Sequence, residues 1–180
     1  MDWITQTDTS LLDIIYKLKN PFFDIVMPFL TALGDKGFIW ILICIICIIA
    51  KKSRKCGMTS SLALIINFLV SNLILKNLVA RERPFAHNDL IELLVEAPTD
   101  FSFPSGHTSA SFAVATVIYL YNKKLGLLSY ILAFMIAFSR LYLYVHFPTD
   151  VIGGIIIGVL AGITAKFITD KIYKRKSHVL

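Results

Sequence analysis

The chain has 180 residues, 56% of them hydrophobic and only 17% charged, with a mean hydropathy of +0.70. So small a share of polar residues excludes a water-soluble globular fold and indicates a membrane protein. The net charge of +6 does not mark a nucleic-acid binder, because the basic residues sit beside hydrophobic runs and in the tail rather than on one basic face. Attraction to anionic headgroups and orientation signals account for them.

Residues 1–34 form an amphipathic, interfacial region. Leu11, Leu12, Ile14, Ile15 and Leu18 alternate at helical spacing with Asp8, Asp13, Lys17 and Lys19, the pattern of a helix lying in the membrane plane. Asp8 to Ser10 offer cap residues for it. Pro21 to Gly34 is a second apolar piece, whose Asp24, Pro28 and short length fit either a sixth span or another interfacial helix. No basic segment followed by an apolar core and a small-residue cleavage site opens the chain, so no removable signal peptide is expected.

Five segments then meet the requirement of roughly 20 apolar residues, relaxed where Lys and Arg flank them. They run from Gly37 to Ala50, Gly57 to Leu75, His107 to Tyr121, Leu125 to Leu143 and Val151 to Thr169. The fold class is therefore all-α, one integral-membrane bundle of five to six helices. Cys44 and Cys47 lie inside an apolar run and Cys56 beside a basic cluster, so no disulfide framework is expected. Lys51 to Lys55, Lys123 with Lys124, and Lys171 to Lys176 alternate with the remaining loops, which puts these groups and the C-terminus in the cytoplasm. The loop from Lys76 to Ser105 and the turn from Arg140 to Asp150 then share the outer face. The stretch from Val79 to Phe103 is long enough to be functional rather than a mere connector.

Clusters of unusual polar residues meet on that face. They are Lys76 with Arg83 and Pro84, then Pro104-Ser105-Gly106-His107, then Ser139-Arg140 with His146 and Asp150. Lys76, Arg83 and Arg140 concentrate positive charge at the end of a bilayer, where it is costly without an anion. Phosphate fits, because arginine offers bidentate donors and lysine a point charge that strengthen as charge builds on the transferring group. Ser105 and Gly106 add a hydroxyl and backbone N–H groups where a helix begins. Asp150, four residues after His146, suits the task of holding one ring nitrogen so that the other attacks phosphorus. His107 is then the general acid and base.

This arrangement resembles the type 2 phosphatidic acid phosphatase superfamily, whose signature is Lys-x6-Arg-Pro, Pro-Ser-Gly-His and Ser-Arg-x5-His-x3-Asp. All three parts occur here in order. The resemblance implies phosphate ligands Lys76, Arg83, Ser105, Gly106 and Arg140, His107 as acid, His146 as nucleophile, Asp150 as its orienting partner, and no metal or cofactor. It also implies a membrane lipid phosphate or diphosphate as substrate. Outward-facing catalysis suits undecaprenyl diphosphate, with phosphatidylglycerol phosphate and phosphatidic acid as competitors. Some dedicated undecaprenyl diphosphatases depart from the pattern in the first motif, whereas Lys76 keeps this chain within it. Phosphate binding or transport without chemistry, and vanadate-dependent peroxidase chemistry, are the competing functions.

Other features have plainer expectations. Gly154, Gly158 and Gly162 are spaced for close helix packing inside a bundle rather than for a dimer, so the protein is expected to be a monomer or weak dimer. Trp3, Trp40, Tyr142 and Tyr144 read as interfacial aromatics. Arg140 taken alone pairs structurally with Asp150, and Asp150 alone caps the last helix. His87, Asp89, Glu92, Glu96 and Asp100 either contact a headgroup or form a solvated loop surface, and His178 is a solvated tail residue.

Overall fold

The computed structural model describes residues 3–88 and 90–177; Asp89 and His178 lie outside them. The described residues are helical with connecting turns: α1 (Trp3–Tyr16), α2 (Pro21–Gly34), α3 (Phe38–Ile49), α4 (Arg54–Asn67), α5 (Lys76–Val79), α6 (Gly106–Tyr121), α7 (Lys123–Tyr142) and α8 (Pro148–Ser177). A π-helical segment, Phe68–Leu75, joins α4 to α5, and 3-10 turns occupy Asp35–Gly37 and Pro84–His87.

Among the described residues, four stretches are long and apolar enough to cross a membrane: Pro21–Ile49, Arg54–His87, Lys123–Tyr142 and Pro148–Arg175. The second apolar piece is thus the first part of one kinked stretch with α3. Asn20 starts it, its side chain accepting from the Phe22 and Phe23 amides with Pro21 in the first helical position. Lys36 (φ 51°) and Gly37 (φ 73°) make the kink. α6 has 16 residues, shorter than those stretches. It packs between α4, α7 and α8, and Phe112 through Ile118 are all buried, as expected for a helix enclosed on every side.

The glycine stripe of α8 serves this enclosure. A Cβ on Gly154, Gly158 or Gly162 would approach the carbonyl oxygen of Ser105, Ser109 or Ala113 to 2.8, 2.4 or 2.8 Å, respectively. The α6 backbone therefore lies directly on α8, as small residues permit. The outward faces stay apolar: Ile45, Ile65, Phe134, Ile156 and Phe167 are exposed, which water would not tolerate but lipid does. At the end of the bundle bearing the basic clusters, Lys55 reaches Asp170 at 2.8 Å and Lys166 pairs with the same carboxylate.

Several expectations are corrected. α1 begins at Trp3, so Asp8 is not a cap but a buried mid-helix residue. Trp40 is fully buried and donates to Ser111 Oγ at 2.8 Å, because its indole N–H needs a partner inside the bundle. Tyr142 and Tyr144 are also buried, their hydroxyls donating to Asp24 (2.6 Å) and Asp13 (2.7 Å). The span expected to stop at Leu75 continues through Lys76 in α5, and the last helix runs on to Ser177.

Candidate active site

The π-helical segment precedes the first cluster. π-turns shift the register of a helix and recur at functional sites; here Asn67, Asn72 and Lys76 all come to line one cavity. The cavity, of about 1130 Å³, is bounded by α2, α3, α4 and the loop through Asp100, together with Gly106, His107, Arg140 and His146. Lys76, Arg83 and Arg140, with Lys36 nearer solvent, bring positive charge to it. Among the described residues no group of three or more His, Cys, Asp or Glu is positioned to hold a metal ion.

The last cluster is set by a turn that an ordinary side chain would avoid. After α7, Tyr144 has φ 59°, a left-handed conformation usually left to glycine. Its ring packs edge-on against Tyr16 at 5.5 Å and its hydroxyl is held by Asp13, so tertiary contacts offset the strain. The turn carries His146 inward, and α8 begins at Pro148. Asp150 sits one turn in, accepting the Phe147 amide at 2.8 Å. It is thus the back-reaching third residue of a capping box rather than the cap itself.

His146 is buried between two groups. Its Nε2 lies 3.2 Å from Arg83 Nη1. Its Nδ1 is 3.5 Å from Asp150 Oδ2 and 3.4 Å from Ser102 Oγ, and Ser102 donates to Asp150 Oδ2 at 2.5 Å. The carboxylate therefore holds the ring in company with a serine. Burial pushes the His146 pKa far below the ordinary imidazole range, outweighing the Asp150 hydrogen bond that raises it, and so favours the neutral ring.

Arg83 donates from Nη1 to the Val145 carbonyl (2.6 Å), from Nε to the Asp100 carbonyl (2.8 Å) and from Nη2 to the Asp100 carboxylate (2.5 Å). Lys76 pairs with the same carboxylate. Burial raises the pKa of Asp100, but the hydrogen bonds and charges of Lys76 and Arg83 prevail and hold it at about 2. Arg140 donates to Thr31 Oγ1 rather than to Asp150, and its Nε is buried without a partner, a donor in want of an acceptor. His107 Nε2 stands 2.8 Å from Asp35 Oδ1.

Lys76, Arg83, Gly106, His107, Arg140 and His146 thus face the cavity. Ser105 and Asp150 are fully buried and do not line it. Ser105 caps α6, accepting from Thr108 Oγ1 at 2.9 Å, and its amide donates to the Asp150 carbonyl at 3.1 Å. Sequence reasoning missed Asp8, Thr31, Asp35, Arg81 and Ser102, and left Asp100 undecided. Arg81 carried a readable signal, a second arginine two residues before Arg83 in an apolar chain. The acidic partners carried none, being far away in sequence.

Comparison with known proteins places these residues in a family. The sequence signature of the PAP2 superfamily matches residues 57–173. An undecaprenyl-diphosphatase of Sulfolobus acidocaldarius is 34% identical over 134 residues, covering 74% of this chain and 64% of that protein, so the match spans less than two thirds of that relative's length. Phosphatidylglycerophosphatase B of Bacillus subtilis is 35% identical over 182 residues, covering 94% of this chain and 86% of that protein. The crystal structure of a transmembrane PAP2-type phosphatidylglycerolphosphate phosphatase from Bacillus subtilis superimposes with a TM-score of 0.80 at 27% identity, covering 96% of this chain and 89% of that one.

Proposed function

The chain belongs to the PAP2 superfamily, and from that membership we propose that it is a membrane phosphatase releasing phosphate from a lipid phosphate or diphosphate through a phosphohistidine on His146, without a metal. The observation that carries this reading is the continuity of the cavity. From Lys76, Arg83, Arg140 and His146 it runs into a cleft walled by Ile41 and Ile45 of α3, Leu64 and Ile65 of α4, and Phe68 at the start of the π-helical segment. Phosphate alone needs no apolar cleft; a lipid needs both halves.

In the mechanism, Lys76, Arg83 and the free Nε of Arg140 bind the phosphoryl oxygens, with the backbone N–H groups at the start of α6 completing the cradle. Asp100 gives up Lys76 and Arg83 to the incoming anion. His146 Nε2 attacks phosphorus while Asp150 and Ser102 hold Nδ1–H. His107 gives its proton to the leaving oxygen as the bond to phosphorus breaks, then accepts one from the water that hydrolyses the phosphohistidine.

Undecaprenyl diphosphate is the favoured substrate and the glycerolipid phosphates the alternatives, in keeping with the names of the relatives. The active site faces outward and the C-terminus is cytoplasmic, a reading supported by the basic clusters at Lys51 to Lys55, Lys123 with Lys124, and the tail. The glycine stripe is occupied by α6, which favours a monomer or weak dimer.

The test is phosphate release by detergent-purified protein from undecaprenyl diphosphate, phosphatidylglycerol phosphate and phosphatidic acid in parallel. Activity is expected to be unchanged by EDTA. Loss with EDTA and recovery with Mg²⁺ would overturn the metal-free mechanism, and no release from any lipid would leave binding or transport as the function.

A further inference from the structure

Asp150 is the residue that holds the nucleophile, yet its carboxylate is shared. Oδ2 faces Ser102, the Phe147 amide and His146, as described above, while Oδ1 accepts from Arg81 Nη1 at 2.7 Å. Arg81 lies over the Phe147 ring, 4.0 Å from its centroid. Its other terminal nitrogen, Nη2, donates to Asp8 Oδ2 at 2.7 Å. Asp8 is 2% exposed and accepts in addition from the Thr149 amide at 3.0 Å and from the Thr149 hydroxyl. Thr149 Oγ1 in turn accepts from Arg81 Nη1 at 2.7 Å. Asp8 belongs to α1, outside the residues that match the family signature, and α1 is seated by Leu12 in a cluster with Tyr144 and Phe147 on either side of His146.

The charge count gives this chain of contacts a consequence. Arg81 alone would cancel the charge of Asp150, and with Arg83 3.2 Å from the other ring nitrogen the positive imidazolium that forms when His146 takes phosphorus would face cations without a net anion beside it. With Asp8 on its far side, the Arg81 guanidinium is shared by two carboxylates and the buried group keeps one net negative charge beside the ring. In a low-dielectric site that charge counts for far more than it would in water.

We propose that Asp8, acting through Arg81, is a positioning and charge-balancing residue for the Asp150–His146 pair, so that the N-terminal helix is part of the catalytic apparatus. This rests on the hydrolase reading with His146 as nucleophile.

The test is a charge cycle in the full-length protein, with kcat and KM measured on the lipid that wild type hydrolyses best. Asp8→Asn is expected to lower kcat about tenfold or more with KM within about twofold, since the phosphate ligands are untouched. Asp8→Asn/Arg81→Gln, which restores one net negative charge, is expected to recover at least about threefold of that loss, whereas a merely structural role predicts a further decline. The proposal is overturned if Asp8→Asn keeps kcat within about twofold of wild type, if KM rises as much as kcat falls, or if the double variant is slower than the single one. Thermal melting in detergent checks folding. Should Asp8→Asn alone not fold, the uncharged pair carries the test: kcat within about tenfold of wild type is expected, and a larger loss overturns the proposal. A wild type inactive on all three lipids would fell the hydrolase reading and this proposal together; an active wild type matched by Asp8→Asn would fell this proposal alone.

Discussion

Two sets of elements meet at the cavity, and they contribute opposite things. The α5–α8 side supplies cations, tyrosine hydroxyls and histidines: Lys76, Arg81, Arg83, His107, Arg140, Tyr142, Tyr144 and His146. The N-terminal segment and the loop before α6 supply six acceptors, which meet all of these but His146: Asp8 to Arg81, Asp13 to Tyr144, Asp24 to Tyr142, Thr31 to Arg140, Asp35 to His107 and Asp100 to both Lys76 and Arg83. Cations held at the edge of a bilayer are costly alone. A fold that gathers such cations must therefore carry its own counter-charges, and here α1, α2 and the turn after them provide most of them, with Asp100 and Asp150 the exceptions.

The largest break in this division of labour comes from removing the reactive group itself. His146→Ala is expected to cut phosphate release by at least about 10³-fold, because no neighbouring side chain replaces the attacking nitrogen. Melting should change little. Substantial residual turnover would move the nucleophile elsewhere. A smaller effect, on folding rather than chemistry, is expected from the seam that positions the donor side. Gly158→Val places atoms where Ser109 O and Phe112 Cβ already stand, at 2.4 and 2.9 Å from a built Cβ. Forcing α8 off α6 should cost about 1–3 kcal/mol, read as a lowered melting midpoint in detergent. An unchanged midpoint would mean that the seam is looser than its contacts indicate.

Lys76, Arg83, His107, Arg140 and His146 were legible in the sequence as one cluster because they are fixed by type and by spacing within short segments. Lys76 and Arg83 flank one helix end, and His146 and Asp150 are one turn apart. The all-α bundle was legible too, from the apolar runs and the basic loops between them. The acceptors were not, since contacts such as Asp8 with Thr149 or Asp35 with His107 join elements far apart in the chain and leave no local pattern. Trp40, Tyr142 and Tyr144 were misread for a related reason. An aromatic residue near a span end reads as an interface anchor, and only tertiary packing reveals that the rings are buried, Tyr142 and Tyr144 under α2 and α1 and Trp40 against α6.

At Asp100 the smallest effect is expected. Its carboxylate occupies Lys76 and Arg83 while itself remaining half exposed, so it competes with any phosphate for the same donors. Asp100→Asn removes the competing charge without changing shape. The inhibition constant for inorganic phosphate is expected to fall about three- to tenfold, a modest change because an exposed ion pair is worth only about 1 kcal/mol. Acid should act in the same direction. The pKa of Asp100 is lowered from its ordinary 3.8 to about 2, so the ionised carboxylate favours pairing with Lys76 and Arg83 at any pH above the ordinary value, and that contribution is lost as the pH falls through about 2. Between neutrality and pH 5 the internal anion therefore stays charged, and the difference in phosphate inhibition between wild type and Asp100→Asn should be constant over that range. A difference that vanished by pH 5 would show that the carboxylate is not held by the two cations. Weaker phosphate inhibition in the variant would show instead that Asp100 props Lys76 and Arg83 in place rather than competing for them.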